Sequence, residues 1–144
     1  MQKALPKSEQ LNRKNQGMNW ISQHKRLAIY LRDGLACAYC NITFDQGATL
    51  TLDHINPTSF GGKITDEKNL VTCCHTCNSS RGNRSVEVFA EATACYLNHG
   101  KKAEDILNGI KASINRPLNT KAALIMVKDF GSCLKVLNHF KDSK

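Results

Sequence analysis

Two Cys-x-x-Cys pairs, Cys37-Ala-Tyr-Cys40 and Cys74-His-Thr-Cys77, stand 33 residues apart and constrain this chain more than any other feature. Two thiolates on one tight turn supply half of a tetrahedral metal site, and a second such turn completes it. The two pairs are therefore expected to meet, closing the intervening chain into a loop. There are seven cysteines, an odd number, and the polar N-terminus does not look like a signal peptide. A repeated pair of this spacing then reads as a metal site in a reducing compartment, ahead of a disulfide framework with one spare thiol. The expected ligands are Cys37, Cys40, Cys74 and Cys77 around a structural Zn²⁺. Cys73 breaks the spacing and is expected to pack as a small apolar residue. Cys95 and Cys133 fall on predicted helices and are expected to be buried, and His75 to be exposed.

A zinc ion held by four cysteines has no open position, so any reaction needs a second centre. The closed loop contains Leu52-Asp53-His54-Ile55, and Asn78 follows the second pair directly. Asp53 and Asn78 offer hard oxygen ligands to Mg²⁺ or Mn²⁺. His54 titrates near neutrality and suits a general base. A base beside a divalent ion is what phosphodiester hydrolysis requires. Adjacent strand residues point to opposite faces, so Asp53 and His54 can converge only where the strand bends or ends.

The rest of the chain supports one small α+β unit with an appendage. Hydrophobic residues make up 41% of it and aromatics only 6%, a modest core of the kind often helped by a metal. Residues 1–17 are expected to form a basic flexible tail. Residues 18–33 read as a helix capped by Asn19, with Trp20, Leu27, Ile29, Tyr30 and Leu31 inward, ended by Gly34. Phe44 reads as a core anchor. Strands are predicted at 49–52 and 69–73, joined by a long loop over 56–69, with a short helical or turn segment over 78–84. Helices are predicted near 86–98 (capped by Ser85), 102–114 and 119–140, the last divided or weakened at Gly131. Leu107, Ile110, Ile114, Leu124, Val127, Leu134 and Leu137 have core spacing in that extension. The domain reading is thus a tail over 1–17, a metal-bearing core over 18–84 and a helical extension over 85–144.

The motifs Leu52-Asp-His-Ile, Asn69-Leu-Val, Cys74-x-x-Cys77-Asn78 and Arg81-Gly-Asn, preceded by Arg32-Asp-Gly-x-x-Cys-x-x-Cys, resemble the HNH (ββα-metal) endonuclease family in its zinc-bound, four-cysteine form. The resemblance covers roughly residues 20–84. It implies a β-hairpin and a helix gripping one divalent ion, with Asp53 and Asn78 as its ligands and His54 as the base. It also implies that Asn69 holds the loop so that His54 points correctly. Many relatives end the motif in His; Asn78 here replaces an imidazole nitrogen by an amide oxygen, which favours Mg²⁺ or Mn²⁺ over softer ions.

The expected partner is DNA. The formal net charge is +8, with the basic excess in residues 1–33 and 85–144 and none in 34–84. Such a balance fits phosphate contacts. Arg81, Arg84, Lys25 and Arg26 are the side chains expected to make them. No apolar run is long enough to span a bilayer, so the chain is expected to be intracellular and cytoplasmic, with no membrane partner. The C-terminal helices offer a route to a homodimer. Two other classes compete with an endonuclease: a non-catalytic zinc module that binds nucleic acid, and a metal-stabilised adaptor for a protein partner. Neither needs Asp53, His54 and Asn78 together.

Overall fold

A computed structural model describes residues 18–57, 64–97 and 100–142. The tail over 1–17 lies outside the described residues, as do residues 98–99, where the helix from 86 was expected to close. A 3-10 turn, Met18–Trp20, leads into helix α1, Gln23–Arg32. Ser22, not Asn19, caps this helix: its hydroxyl accepts the Lys25 N–H at 3.2 Å. Trp20 accordingly precedes the helix, half-buried against the core. Leu27, Ile29 and Tyr30 are fully buried.

Strand β1 spans Leu50–His54 and pairs antiparallel with β2, Leu70–Cys74. Both lie one or two residues later than the alternation suggests, because the ladder continues through Asp53 and His54 opposite Val71 and Leu70. Every residue of β2 is buried, as expected for a hairpin covered on both faces. Helix α2, His75–Arg81, follows β2 at once, giving strand, strand, helix.

Helix α1 is fastened across the hairpin at two places. The Tyr30 hydroxyl donates to the Leu50 carbonyl at 3.0 Å. The Arg32 guanidinium donates to the carbonyls of Glu67 (2.9 Å) and Leu70 (2.7 Å) and pairs with Asp33 at 2.7 Å. Asp33 in turn accepts from the Thr72 N–H and hydroxyl, both at 2.9 Å. This buried ion pair is fully hydrogen-bonded, the condition under which burying charge is tolerated.

The extension comprises α3 (Val86–Leu97), α4 (Ala103–Asn115), α5 (Thr120–Phe130) and α6 (Cys133–Asp142). Ser85 caps the start of α3, its hydroxyl accepting the Val88 N–H at 3.1 Å. Gly131, at φ 100°, separates α5 from α6, a left-handed conformation that costs glycine little. Helix α5 packs on α1, and Gln23 accepts the Cys133 N–H at 2.8 Å. Ile110 and Leu137 are buried as their spacing suggests, whereas Leu124 and Leu134 are exposed, because Ala123, Cys133 and Val136 turn inward instead. Cys73 and Cys133 are buried; Cys95 is exposed, contrary to the expectation from its helix. No described helix is long and apolar enough to cross a membrane.

Candidate metal and catalytic site

The first knuckle is a tight hairpin: the Cys37 N–H donates to the Ile42 carbonyl at 2.9 Å, and Ala36 bridges Thr43. Asn41 takes a positive φ of 67° to close it. The second knuckle is the junction of β2 and α2, with Cys74 as the helix cap. In each, a backbone N–H donates to the leading sulfur: Tyr39 to Cys37 and Cys77 to Cys74, both at 3.4 Å. The four Sγ atoms lie within 4.8 Å of one another, and Cys40 and Cys74 are 3.7 Å apart. A tetrahedron with metal–sulfur distances of about 2.3 Å has edges of about 3.8 Å. The arrangement therefore fits Zn²⁺. Without a cation the four thiols cannot all ionise. Hydrogen bonds from Cys40 and the other thiols push Cys37 down, while the Cys37 thiolate pushes Cys40, Cys74 and Cys77 up. A divalent ion relieves that conflict. His75, between the knuckle cysteines, is exposed.

Strand β1 ends at His54. Asp53 is buried, and its Oδ2 accepts from the Tyr39 hydroxyl at 2.9 Å and from Arg81 at 2.6 Å. Burial raises the Asp53 carboxyl above the ordinary carboxylate range; the Arg81 charge and the Tyr39 hydrogen bond pull it back in part. Burial, followed by the charge of Asp53, raises the Tyr39 hydroxyl as well, so it stays a donor. His54 is half-buried. Its Nε2 is 2.9 Å from the Ile64 carbonyl, and since a carbonyl only accepts, Nε2 carries the hydrogen.

Asn69 is buried, and its side chain spans both backbone groups of Asn56. Its Oδ1 accepts the Asn56 N–H at 2.8 Å and its Nδ2 donates to the Asn56 carbonyl at 3.0 Å. The chain leaving His54 is thereby clamped to the start of β2. Asn78, on α2, uses Nδ2 on the Thr51 hydroxyl (2.9 Å) and the Leu52 carbonyl (3.2 Å). Among the described residues, no hydrogen bond uses its Oδ1.

The four expected phosphate contacts are placed unequally. Arg81 is not a surface group. It is buried, and beyond Asp53 it donates to the carbonyls of His54 (2.9 Å), Ile55 (2.8 Å) and Arg84 (2.9 Å). The buried carboxylate of Asp53 draws it inward. Lys25 pairs with Glu67 at 3.2 Å. Arg26 is half-buried, with its guanidinium 5.9 Å from the centre of the Tyr30 ring. Arg84 is exposed and lies over Phe89 at 5.0 Å.

Two residues of this site were not singled out for it by the sequence reading. Tyr39 joins a zinc knuckle to Asp53, and Trp20 lies against the His54 ring with centroids 4.8 Å apart. An aromatic inside a Cys-x-x-Cys turn gives some signal for Tyr39, since a buried hydroxyl needs an acceptor. For Trp20 the sequence offers none.

Among known proteins, the sequence model of a family described as HNH endonuclease matches residues 37–92. A CRISPR-associated endonuclease Cas9 of Corynebacterium diphtheriae is 38% identical over 65 residues, 44% of this chain and 6% of that protein. A CRISPR-associated endonuclease Cas9 of Actinomyces naeslundii is 35% identical over 91 residues, 63% of this chain and 7% of that protein. The chain thus spans less than a tenth of the length of these curated relatives. The crystal structure of the Type II-C Cas9 enzyme from Actinomyces naeslundii superposes with a TM-score of 0.39 at 24% identity, covering 76% of this chain and 13% of that one.

Proposed function

We propose, from the match of residues 37–92 to the HNH endonuclease family, that this chain hydrolyses DNA phosphodiester bonds with a divalent ion. The observation that carries this reading is the state of His54. With Nε2 committed to the Ile64 carbonyl at 2.9 Å, Nδ1 is free to take a proton from an attacking water. Asn69 holds the turn after His54 through Asn56, consistent with its implied role.

Asp53 and the Asn78 Oδ1 would hold Mg²⁺ or Mn²⁺; both are hard oxygen donors, which such ions prefer. The ion, when bound, stabilises the charge that develops on the phosphate and the leaving oxygen. Zn²⁺ at the four cysteines has the separate task of fixing the two knuckles, and through them Asp53 and Asn78. The names of both curated relatives specify endonucleases, which supports cleavage over binding alone.

The test is supercoiled plasmid incubated with the purified protein, with and without Mg²⁺ or Mn²⁺, beside His54→Ala. Metal-dependent conversion to open circles, lost in the variant, is the expected result. One observation favours a second reading, a zinc-bearing DNA-binding module without catalysis: Asp53 already has Arg81 and Tyr39 as partners. Retarded DNA on a gel and no cleavage with any metal would establish that reading.

A further inference from the structure

A single hydrogen bond does not fix an imidazole. Among the described residues, His54 has one hydrogen bond, from Nε2 to the Ile64 carbonyl, and about that contact alone the ring could swing, carrying Nδ1 with it. A second restraint must bear on the ring itself. The indole of Trp20 supplies one: its centroid is 4.8 Å from that of His54, with the planes tilted by 38°. We propose that Trp20 is a positioning residue for His54, holding the plane of the imidazole so that one nitrogen meets the Ile64 carbonyl and the other is presented to the substrate. The inference rests on the reading of His54 as the base.

The fold holds Trp20 to the task. It ends the 3-10 turn that precedes α1, and its neighbour Ile21 is buried in the core. Helix α1 is tied at its far end to the Leu70 carbonyl by Arg32, and Leu70 is the residue opposite His54 in the hairpin. The Tyr30 hydroxyl ties the same helix to Leu50, at the other end of β1. Helix α1, which follows the turn that carries the indole, is thus fastened to β1 at Leu50 and to β2 opposite His54. Trp20 lies outside the segment matched by the family, residues 37–92, so the positioning device is supplied by the chain upstream of it. A merely structural Trp20 would pack against the core without any bearing on the orientation of His54.

Trp20 is the only tryptophan in the chain, so tryptophan emission reports the surroundings of this one indole. The first measurement compares the tryptophan emission of the full chain with that of His54→Ala, at matched zinc content and melting temperature. The inference predicts a change in emission intensity when the imidazole is removed; identical emission would overturn it. The second measures plasmid nicking by Trp20→Ala and Trp20→Phe. Misplacing a catalytic group by about 1 Å can cost up to about a hundredfold in rate. Trp20→Ala is therefore expected to lose roughly tenfold or more in kcat, with KM for plasmid changed by less than about twofold, and Trp20→Phe to recover most of the loss. Wild-type kcat in folded Trp20→Ala would overturn the inference, as would a loss of rate no greater than its loss of folded protein. A wild-type chain that cuts no DNA overturns the functional reading and the positioning role together. That outcome is told apart from a failure of the inference alone because the wild-type control is then itself inactive, whatever the emission shows.

Discussion

At the scale of single residues, the proposed chemistry turns on who holds whom. His54 is tied to the Ile64 carbonyl through Nε2, which on the proposed reading leaves Nδ1 to take the proton. His54→Ala is expected to lose at least about a hundredfold in nicking rate, the lower range for a general base, while zinc content and melting temperature stay put. Metal analysis and a thermal melt on the same sample check this; an equal loss of fold would remove the catalytic assignment. Arg81 is a different case. It neutralises Asp53 inside the protein and gathers the carbonyls at the end of β1. Arg81→Ala leaves a buried carboxylate without its ion pair and is expected to cost about 3 kcal/mol of stability. Urea unfolding measures it. A surface arginine would cost under about 1 kcal/mol, so a small value would contradict the buried pairing.

At the scale of elements, the hairpin and α2 are held by their ends more than by their length. A two-stranded ribbon alone is marginal in water, and α2 has only seven residues. The second knuckle is the joint between them, and the first lies against it through the Cys40–Cys74 approach of 3.7 Å. Cys40→Ala is expected to lose the zinc and unfold the region from the first knuckle to α2, because a structural zinc contributes its binding free energy to folding. Circular dichroism before and after a strong chelator should show the same collapse in the wild type. A Cys40→Ala protein that kept stoichiometric zinc and melted normally would remove Cys40 from the ligand set.

At the scale of the whole molecule, the charge is unevenly shared. The net +8 comes from residues 1–33 and 85–144, while the stretch that holds the motifs is balanced. Arg81 is buried and Lys25 and Arg26 are half-buried, so on the proposed reading sequence-independent attraction to DNA falls to more exposed basic groups, Arg84 among them. Gel-shift affinity is expected to drop more than about tenfold between roughly 50 and 200 mM salt, in line with release of counterions from a few phosphates. Affinity indifferent to salt would mean that the basic excess is not what binds. The exposed side chains of Leu124, Ile125, Phe130 and Leu134 give the last two helices an apolar outer surface.

Much of this was legible in the order of residues. The knuckle spacing identified the four cysteines, because two ligands on one turn need only local geometry. The alternation placed Asp53 and His54 at a strand end, Gly131 divided the last helices, and Ser85 marked a helix start. These are properties of neighbours along the chain. Tertiary structure alone decided the rest. Asn19 and Ser22 are both good caps, and packing of the turn at Trp20 selected Ser22. Arg81 reads as a solvent-facing cation until Asp53, 28 residues away, pulls it inward. Leu124 and Leu134 have core spacing, but the docking of α5 and α6 turned smaller residues toward the protein. Tyr39 meets Asp53, and Trp20 meets His54, only through packing of segments distant in the chain. The reason is common to all of them: spacing fixes what a residue can do, whereas its partner depends on contacts between distant segments, which packing sets.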